Sequence, residues 1–173
     1  MRGLTQIPNT YFDKYKNKKV TIKPFDPGIR SIAQQYIDKL SQTLSHFNPE
    51  IVHRGSTAMG IAGKGEIELG VYPKETDWQQ IIQLLIKHFG EVNNLEKNYA
   101  RFNDIFRHIE IEIILMKGYE AILDKKLTLY LLSHPQLLKE YEKLKYKYCH
   151  SKKDYMIQKD KFFRRVIEMI PEE

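Results

Sequence analysis

The chain has 173 residues, of which 42% are hydrophobic and 12% aromatic, and this composition excludes an intrinsically disordered protein. Its 28 Lys and Arg against 22 Asp and Glu give a formal net charge of +6, which favours phosphate-bearing partners only weakly. Cys149 is the single cysteine, so an intramolecular disulfide is excluded, and no apolar run is long enough to span a bilayer. We expect one folded domain over residues 1–173, located in the cytoplasm and without a membrane partner.

The first part of the chain combines helix and strand patterns. Asp26-Pro27 is typical of a helix start, with aspartate as the cap and proline at the first helical position. Residues 107–113 alternate apolar and polar side chains, which is typical of a strand. In chain order the patterns predict a strand at 20–23, a helix at 28–46, a strand at 51–53, a helix at 78–89, and strands at 99–102 and 107–113.

From Tyr119 onward the pattern is helical throughout. Apolar residues recur at helical spacing, and Ser133-His134-Pro135 ends one helix and begins the next. The predicted helices cover 121–132, then 135–148, then 155–170. We therefore predict an α+β fold, in which a mixed β-sheet with packed helices occupies residues 20–117 and a helical part occupies residues 119–170.

Two strand-like segments carry acidic residues on one face. Side chains alternate along a strand, so Glu66 and Glu68 project from the face opposite to Ile67 and its apolar neighbours. The segment 108–113 repeats this pattern, with His108, Glu110 and Glu112 on its polar face. Two carboxylates held side by side repel each other, and a bound cation would relieve that repulsion.

If the two segments are neighbours in the sheet, they lie about 4.8 Å apart, and a carboxylate from the second joins the pair from the first around one ion. The third ligand would be Glu110, with Glu112 as the alternative. Such oxygen ligation suits Mg²⁺ or Mn²⁺ and is typical of phosphoryl or nucleotidyl transfer. A sheet with one solvated face also alternates apolar and acidic residues, and that interpretation needs no metal.

A glycine-rich segment precedes the first acidic pair. Gly55 lets the backbone approach a phosphate closely, the Ser56 hydroxyl can donate to a phosphate oxygen, and Lys64 adds a positive charge. The segment lacks the Gly-Lys-Ser/Thr triplet of a Walker P-loop, and we expect it to be a loop followed by a strand. His53 and His108 are further candidates for metal ligation or phosphate contact, although a lone histidine is more often structural.

This combination resembles the nucleotidyltransferase superfamily of the polymerase-beta type. In that superfamily a Gly-Ser pair helps to hold the nucleotide triphosphate, and acidic residues on two strands bind magnesium. Gly55-Ser56, Glu66, Glu68 and one of Glu110 or Glu112 fall at the corresponding places. The resemblance implies a nucleotidyltransferase-type sheet, with Glu66, Glu68 and Glu110 as catalytic residues.

Several separated motifs also resemble the GrpB family, for which the nucleotidyltransferase-like fold is assigned. They are His53-x-Gly-Ser-Thr-Ala-Met, Gly60-Ile-Ala-Gly-Lys64, Pro24-Phe-Asp-Pro27, Leu131-Leu-Ser-His-Pro-x-Leu137, Glu140-Tyr141, Leu144-Lys145, Lys159 and Phe162. In this resemblance Glu68 replaces the usual aspartate, Glu66 occupies a position that is normally apolar, and Glu110 replaces a histidine. The carboxylate triad is therefore partly specific to this sequence.

The leading hypothesis is a protein that binds a nucleotide or a phosphorylated small molecule with Mg²⁺ or Mn²⁺ and transfers a nucleotidyl group to an acceptor. The alternative is a non-catalytic module on the same fold that uses its lysines to bind nucleic acid or an acidic partner. Nucleic acid is less favoured, because aromatic residues interleaved with basic ones are not evident. A third possibility is an accessory domain of another enzyme.

Overall fold

The computed structural model describes residues 8–171. A 3-10 helix at Asn9–Tyr15 precedes six α-helices, and a second, short 3-10 helix lies at Glu75–Asp77. The α-helices are α1 (Ile29–Thr43), α2 (Gly55–Met59), α3 (Trp78–Phe89), α4 (Gly118–Leu132), α5 (Pro135–Tyr148) and α6 (Lys152–Glu168). Within residues 8–171 no helix is both long and apolar enough to cross a membrane.

Five strands form one mixed sheet in the order β1-β2-β5-β4-β3. They are β1 (Glu50–Arg54), β2 (Ile67–Tyr72), β3 (Asn94–Glu96), β4 (Tyr99–Phe106) and β5 (Ile109–Met116). Strands β2 and β5 are parallel, and the other neighbouring pairs are antiparallel. The predicted α+β fold with a mixed sheet is therefore confirmed.

One face of the sheet packs against α1 and α3. The alternation along β2 and β5 turns Ile67, Leu69, Ile111 and Ile113 to this side, where all four are fully buried. Helix α1 contributes residues such as Tyr36 to the same core, because its apolar residues recur at helical spacing. This packing fixes the direction in which the intervening glutamates point.

The opposite face carries the glutamates, and the C-terminal helices cover part of it. Tyr72, Ile114 and Met116 of the sheet pack with Ala121 of α4. Behind them, α4, α5 and α6 share a core in which the Tyr141 and Phe162 rings stack with centroids 5.1 Å apart. The acidic face is therefore not simply a solvated sheet surface.

Local structure differs from the sequence predictions at three places. Residues 20–23 form only an isolated bridge between Lys23 and Gly63 instead of a strand. Gly55–Met59 is a short helix instead of a loop, and Gly60 ends it in the left-handed conformation at φ +71°. Arg107 and His108 form a two-residue turn between β4 and β5 instead of the start of a strand, and both have positive φ, as this hairpin geometry requires.

Candidate active-site cleft

Three carboxylates meet on the helix-covered face of the sheet. Glu68 of β2 is in register with Glu112 of the parallel strand β5, and Glu66 immediately precedes β2. One oxygen from each of Glu66, Glu68 and Glu112 lies within 4.8 Å of the others. This spacing allows the three side chains to share one cation, and hard carboxylate oxygens are the ligands that Mg²⁺ and Mn²⁺ prefer.

Glu110 does not join these three side chains. It lies two residues nearer the β4–β5 turn, pairs across the sheet with Ile105 and is exposed. The hairpin tip brings it close to His108, away from the carboxylate cluster. Of the two alternatives for the third carboxylate, the structure therefore gathers Glu112, and not Glu110, with Glu66 and Glu68.

Basic side chains surround the cluster and hold part of it ionised. The Lys64 ammonium lies 2.5 Å from Oε2 of Glu66. Burial raises the pKa of Glu68, but Arg54, Lys159 and Lys64 together lower it below its usual value. Burial and the neighbouring Glu68 carboxylate raise the pKa of Glu66, against the effect of Lys64. Two adjacent carboxylates with pKa values moved in opposite directions are the expected result of a shared, partly buried site.

Gly55 lies directly against Glu68. A Cβ atom at this position would be 1.7 Å from the Glu68 Oε2 atom, and Gly55 has φ +75°. A side chain would therefore collide with the carboxylate and strain the backbone. Gly55 is required for the chain to leave β1 and enter α2 this close to the acidic cluster.

Ser56 is paired with a buried lysine of α5. The Lys145 ammonium donates a hydrogen bond to Ser56 Oγ and another, of 2.6 Å, to the carbonyl oxygen of Ala62. Lys145 is fully buried and lies 4.2 Å from the centre of the Tyr141 ring. Burial and the nearby charge of Lys159 lower the pKa of Lys145 to about 7. The serine predicted to contact phosphate is thus already held by a cationic group.

The two histidines lie away from the cleft. His53 opposes the buried Leu69 in the sheet, and its Nε2 is 2.9 Å from the Thr57 hydroxyl. Since that hydroxyl donates to the carbonyl oxygen of Glu66, His53 Nε2 carries the proton and acts as donor. Burial lowers the pKa of His53 to about 4. His108 lies in the exposed turn, so neither histidine reaches the carboxylate cluster in this conformation.

A buried network fixes the β1 side of the cleft. Arg54 opposes Glu68 across the sheet and forms a bidentate pair with Asp124 of α4, in which the Nε–Oδ2 distance is 3.0 Å. The Tyr72 hydroxyl donates a 2.6 Å hydrogen bond to the same carboxylate. Burial alone would lower the pKa of Arg54, but Asp124 and Glu68 raise it. Arg54 therefore stays charged and links the helical part to the acidic strand.

Three basic residues of the cleft were missed as site residues in the sequence. Arg54 precedes the Gly-Ser pair directly, whereas Lys145 and Lys159 lie far along the chain in the C-terminal helices. Lys145 shares a helix face with the buried Leu137 and Tyr141, and a lysine within an apolar stripe indicates a buried amine that needs hydrogen-bond partners. Lys159 lines the same cleft. Tyr141 raises the pKa of Lys159, although burial lowers it.

Known proteins share this fold. The sequence matches the GrpB protein family over residues 19–169, and it matches no curated protein. Similar solved structures include the Cid1 poly(U) polymerase with magnesium and 3′-dATP bound, at 16% identity and a TM-score of 0.50, covering 79% of this chain and 44% of that chain. A cytoplasmic RNA terminal U-transferase aligns at 16% identity and a TM-score of 0.51, covering 79% and 42%.

The GLD-2/RNP-8 complex aligns at 15% identity and a TM-score of 0.53, covering 94% of this chain and 63% of that chain. This chain spans between 42% and 63% of the length of these three structures, and at such identities the likeness concerns the fold alone. The family match covers most of the residues and agrees with the fold. The chain therefore belongs to the GrpB family and has a nucleotidyltransferase-like fold.

Proposed function

We propose that the cleft binds a nucleotide or another phosphorylated small molecule together with Mg²⁺ or Mn²⁺, and that it serves nucleotidyl transfer to an acceptor. The observation that carries this proposal is the convergence of Glu66, Glu68 and Glu112 beside Gly55-Ser56 in a cleft lined by basic side chains. The nucleotide-bound polymerase with a similar fold supports the proposal by analogy.

In this proposal the three carboxylates hold the ion, which neutralises phosphate charge and aligns the reacting groups. Glu68 is the central ligand, because its lowered pKa keeps it ionised and its backbone lies between the other two acidic positions. Glu66 is available as a ligand when its contact with Lys64 opens. The chain thus needs only side-chain adjustments to bind a cation here.

Basic groups on the other side of the cleft would bind the phosphates. The Lys145 amine contacts Ser56 Oγ, so a phosphate oxygen that replaces the serine hydroxyl would meet this amine and favour its protonated form. Lys159 lines the cleft from α6 and stays charged, because Tyr141, Tyr155 and the carboxylates of Glu68 and Glu66 together raise its pKa. Phosphoryl and nucleotidyl transfer depend mainly on such positioning and charge neutralisation.

The direct test is the binding of ATP and UTP in the presence and absence of Mg²⁺ or Mn²⁺. We expect metal-dependent binding that Glu68→Gln and Glu112→Gln weaken by at least tenfold. Glu110→Gln is the matched control, because Glu110 lies on the same face of the same strand but outside the cluster. Equal binding by wild type, Glu68→Gln and Glu112→Gln would contradict the ion site.

The non-catalytic alternative makes a different prediction. Nucleic acid or an acidic partner held by surface lysines would bind in a salt-sensitive manner, and this binding would survive the loss of Glu66 and Glu68. Binding of oligo(U) at several salt concentrations, in wild type and in the double Glu→Gln variant, separates the two functions. Incorporation of labelled nucleotide into an acceptor by wild type alone would favour the transferase.

A further inference from the structure

A second cavity lies beside the carboxylate cleft. It lies between α6, the strands β3 and β4, and the N-terminal 3-10 helix. The two cavities share Tyr99, Arg101, Met156, Lys159 and Phe163 in their walls, so they are adjacent. A ligand that reaches both would have one end near Glu68 and the other in the second cavity.

Half of the residues that line the second cavity are aromatic. Tyr11, Phe12 and Tyr15 come from the 3-10 helix, and Tyr99 and Phe163 face them from β4 and α6. The Tyr11 and Phe12 rings are perpendicular, with centroids 5.5 Å apart, so rings of different orientation surround the space. Aromatic walls of this kind favour a planar ring, which can stack on one wall and meet another edge-on.

The same space contains a polar group without a partner. The Nε atom of Arg101 is buried and, within residues 8–171, has no hydrogen-bond partner. Its Nη1 lies 3.8 Å from Oε1 of Glu112, which places the guanidinium between the acidic cluster and the aromatic rings. The Arg101 side chain is partly exposed and borders both cavities, so the incompletely paired guanidinium can donate to an oxygen or nitrogen acceptor on a ligand.

The 3-10 helix and the segment that follows it are held in position by contacts with α6 and the end of α5. Asp13 forms a 2.5 Å ion pair with Lys153, and the Lys152 amide donates a 2.7 Å hydrogen bond to the carbonyl of Lys18. The Val20 amide donates to the carbonyl of Cys149 at 2.8 Å. The helix also precedes residue 19, where the family match begins, so Tyr11, Phe12 and Tyr15 lie outside the matched residues.

We infer that the aromatic cavity binds the heteroaromatic base of a nucleotide whose phosphates lie at the carboxylates. This inference rests on the proposed function and makes it more specific: the ligand is a nucleotide and not a phosphorylated sugar or inorganic phosphate. The base stacks against the N-terminal rings, and Arg101 donates to an acceptor on the ligand. The N-terminal segment is thus part of the binding site.

The test compares three probes on the full chain: Mg²⁺-ATP, Mg²⁺-tripolyphosphate and adenosine, each by isothermal titration calorimetry. ATP should bind about tenfold or more tightly than tripolyphosphate, as expected for one stacked base. Tyr15→Ala should remove this advantage and leave tripolyphosphate binding unchanged, while Tyr15→Phe should restore it. Tyr146→Ala is the matched control, because Tyr146 is an exposed tyrosine of α5 outside both cavities.

The outcomes separate this inference from the proposed function. Equal affinity for ATP and tripolyphosphate, or an equal loss of both in Tyr15→Ala, overturns the base site. Adenosine that binds without displacing ATP also overturns it, because the ring would then belong to a second molecule. If neither phosphate probe binds, the proposed function fails, and adenosine binding that Tyr15→Ala abolishes would still support the aromatic cavity. Circular dichroism and thermal unfolding confirm that the variants are folded.

Discussion

Replacing Lys145 with methionine should make the protein more stable at low pH, although it removes a group that we place at the phosphate. Lys145 is fully buried, and burial lowers its pKa from 10.5 to about 7. The protonated form is therefore penalised in the folded state by at most about 5 kcal/mol, at about 1.4 kcal/mol per pKa unit. Methionine has a similar length and carries no charge, so it removes this penalty.

The hydrogen bonds that Lys145 makes reduce the stability that Lys145→Met would add. The carbonyl oxygen of Ala62 would lose its 2.6 Å partner, at a cost of about 1–3 kcal/mol for a buried acceptor. Because the folded-state pKa is lowered, the penalty is complete below pH 7 and disappears as the pH rises toward 10.5. Lys145→Met should therefore stabilise by about 2–4 kcal/mol near pH 6 and by about zero near pH 9.

Urea unfolding of wild type and Lys145→Met at pH 6 and pH 9 measures this difference. Lys143→Met is the matched control, since Lys143 is an exposed residue of the same helix. Its effect should be within about 0.5 kcal/mol of zero at both pH values. A stability difference between Lys145→Met and wild type that does not change with pH would refute a lowered pKa for this lysine.

Three further predictions follow from the site. Gly55→Ala should abolish ATP binding and destabilise strongly in urea unfolding, because its Cβ would be 1.7 Å from a carboxylate oxygen. Gly90→Ala, with φ +85° and no atom within 4 Å, should cost only about 1–3 kcal/mol of backbone strain. Asp124→Asn should destabilise by about 3–5 kcal/mol, because Arg54 would lose its buried counter-ion, whereas Glu50→Gln in an exposed pair should cost at most about 1 kcal/mol. When Mg²⁺-ATP binds at pH 8, Lys145 should take up a proton from the buffer. The binding enthalpy measured by calorimetry should therefore change with the ionisation enthalpy of the buffer.

The sequence predicts which glutamates lie on the polar faces of the strands. It does not predict how strands β2 and β5 align with each other. Alternation placed Glu66, Glu68, Glu110 and Glu112 on polar faces, because side chains alternate with a period of two in any strand. The pairing of Glu68 with Glu112 depends on how β2 and β5 align across a long connection. That alignment comes from packing of the whole sheet, so the choice between the two later glutamates remained open in the sequence.

The turn at His108 was missed for a local reason. Two-residue hairpin turns are usually signalled by Asn-Gly or Asp-Gly, whereas this chain has Arg107-His108 with φ values of 50° and 63°. The alternating pattern runs through the turn without a break, so the strand was predicted to begin too early. As a result, His108 lies at the exposed tip of the hairpin, beside Glu110 and outside the carboxylate cluster.

The cleft balances charges that come from the sheet and from the C-terminal helices. The sheet supplies Glu66, Glu68 and Glu112, whereas the C-terminal helices supply Lys145 and Lys159. Without the ion, a triphosphate would be repelled by three carboxylates. Without the triphosphate, a divalent ion would be repelled by two ammonium groups. Each ligand therefore relieves the repulsion that the other would meet, so metal and nucleotide should bind cooperatively. By linkage, the factor by which ATP tightens Mn²⁺ binding must equal the factor by which Mn²⁺ tightens ATP binding, and an absence of coupling would show that the two do not share this cleft.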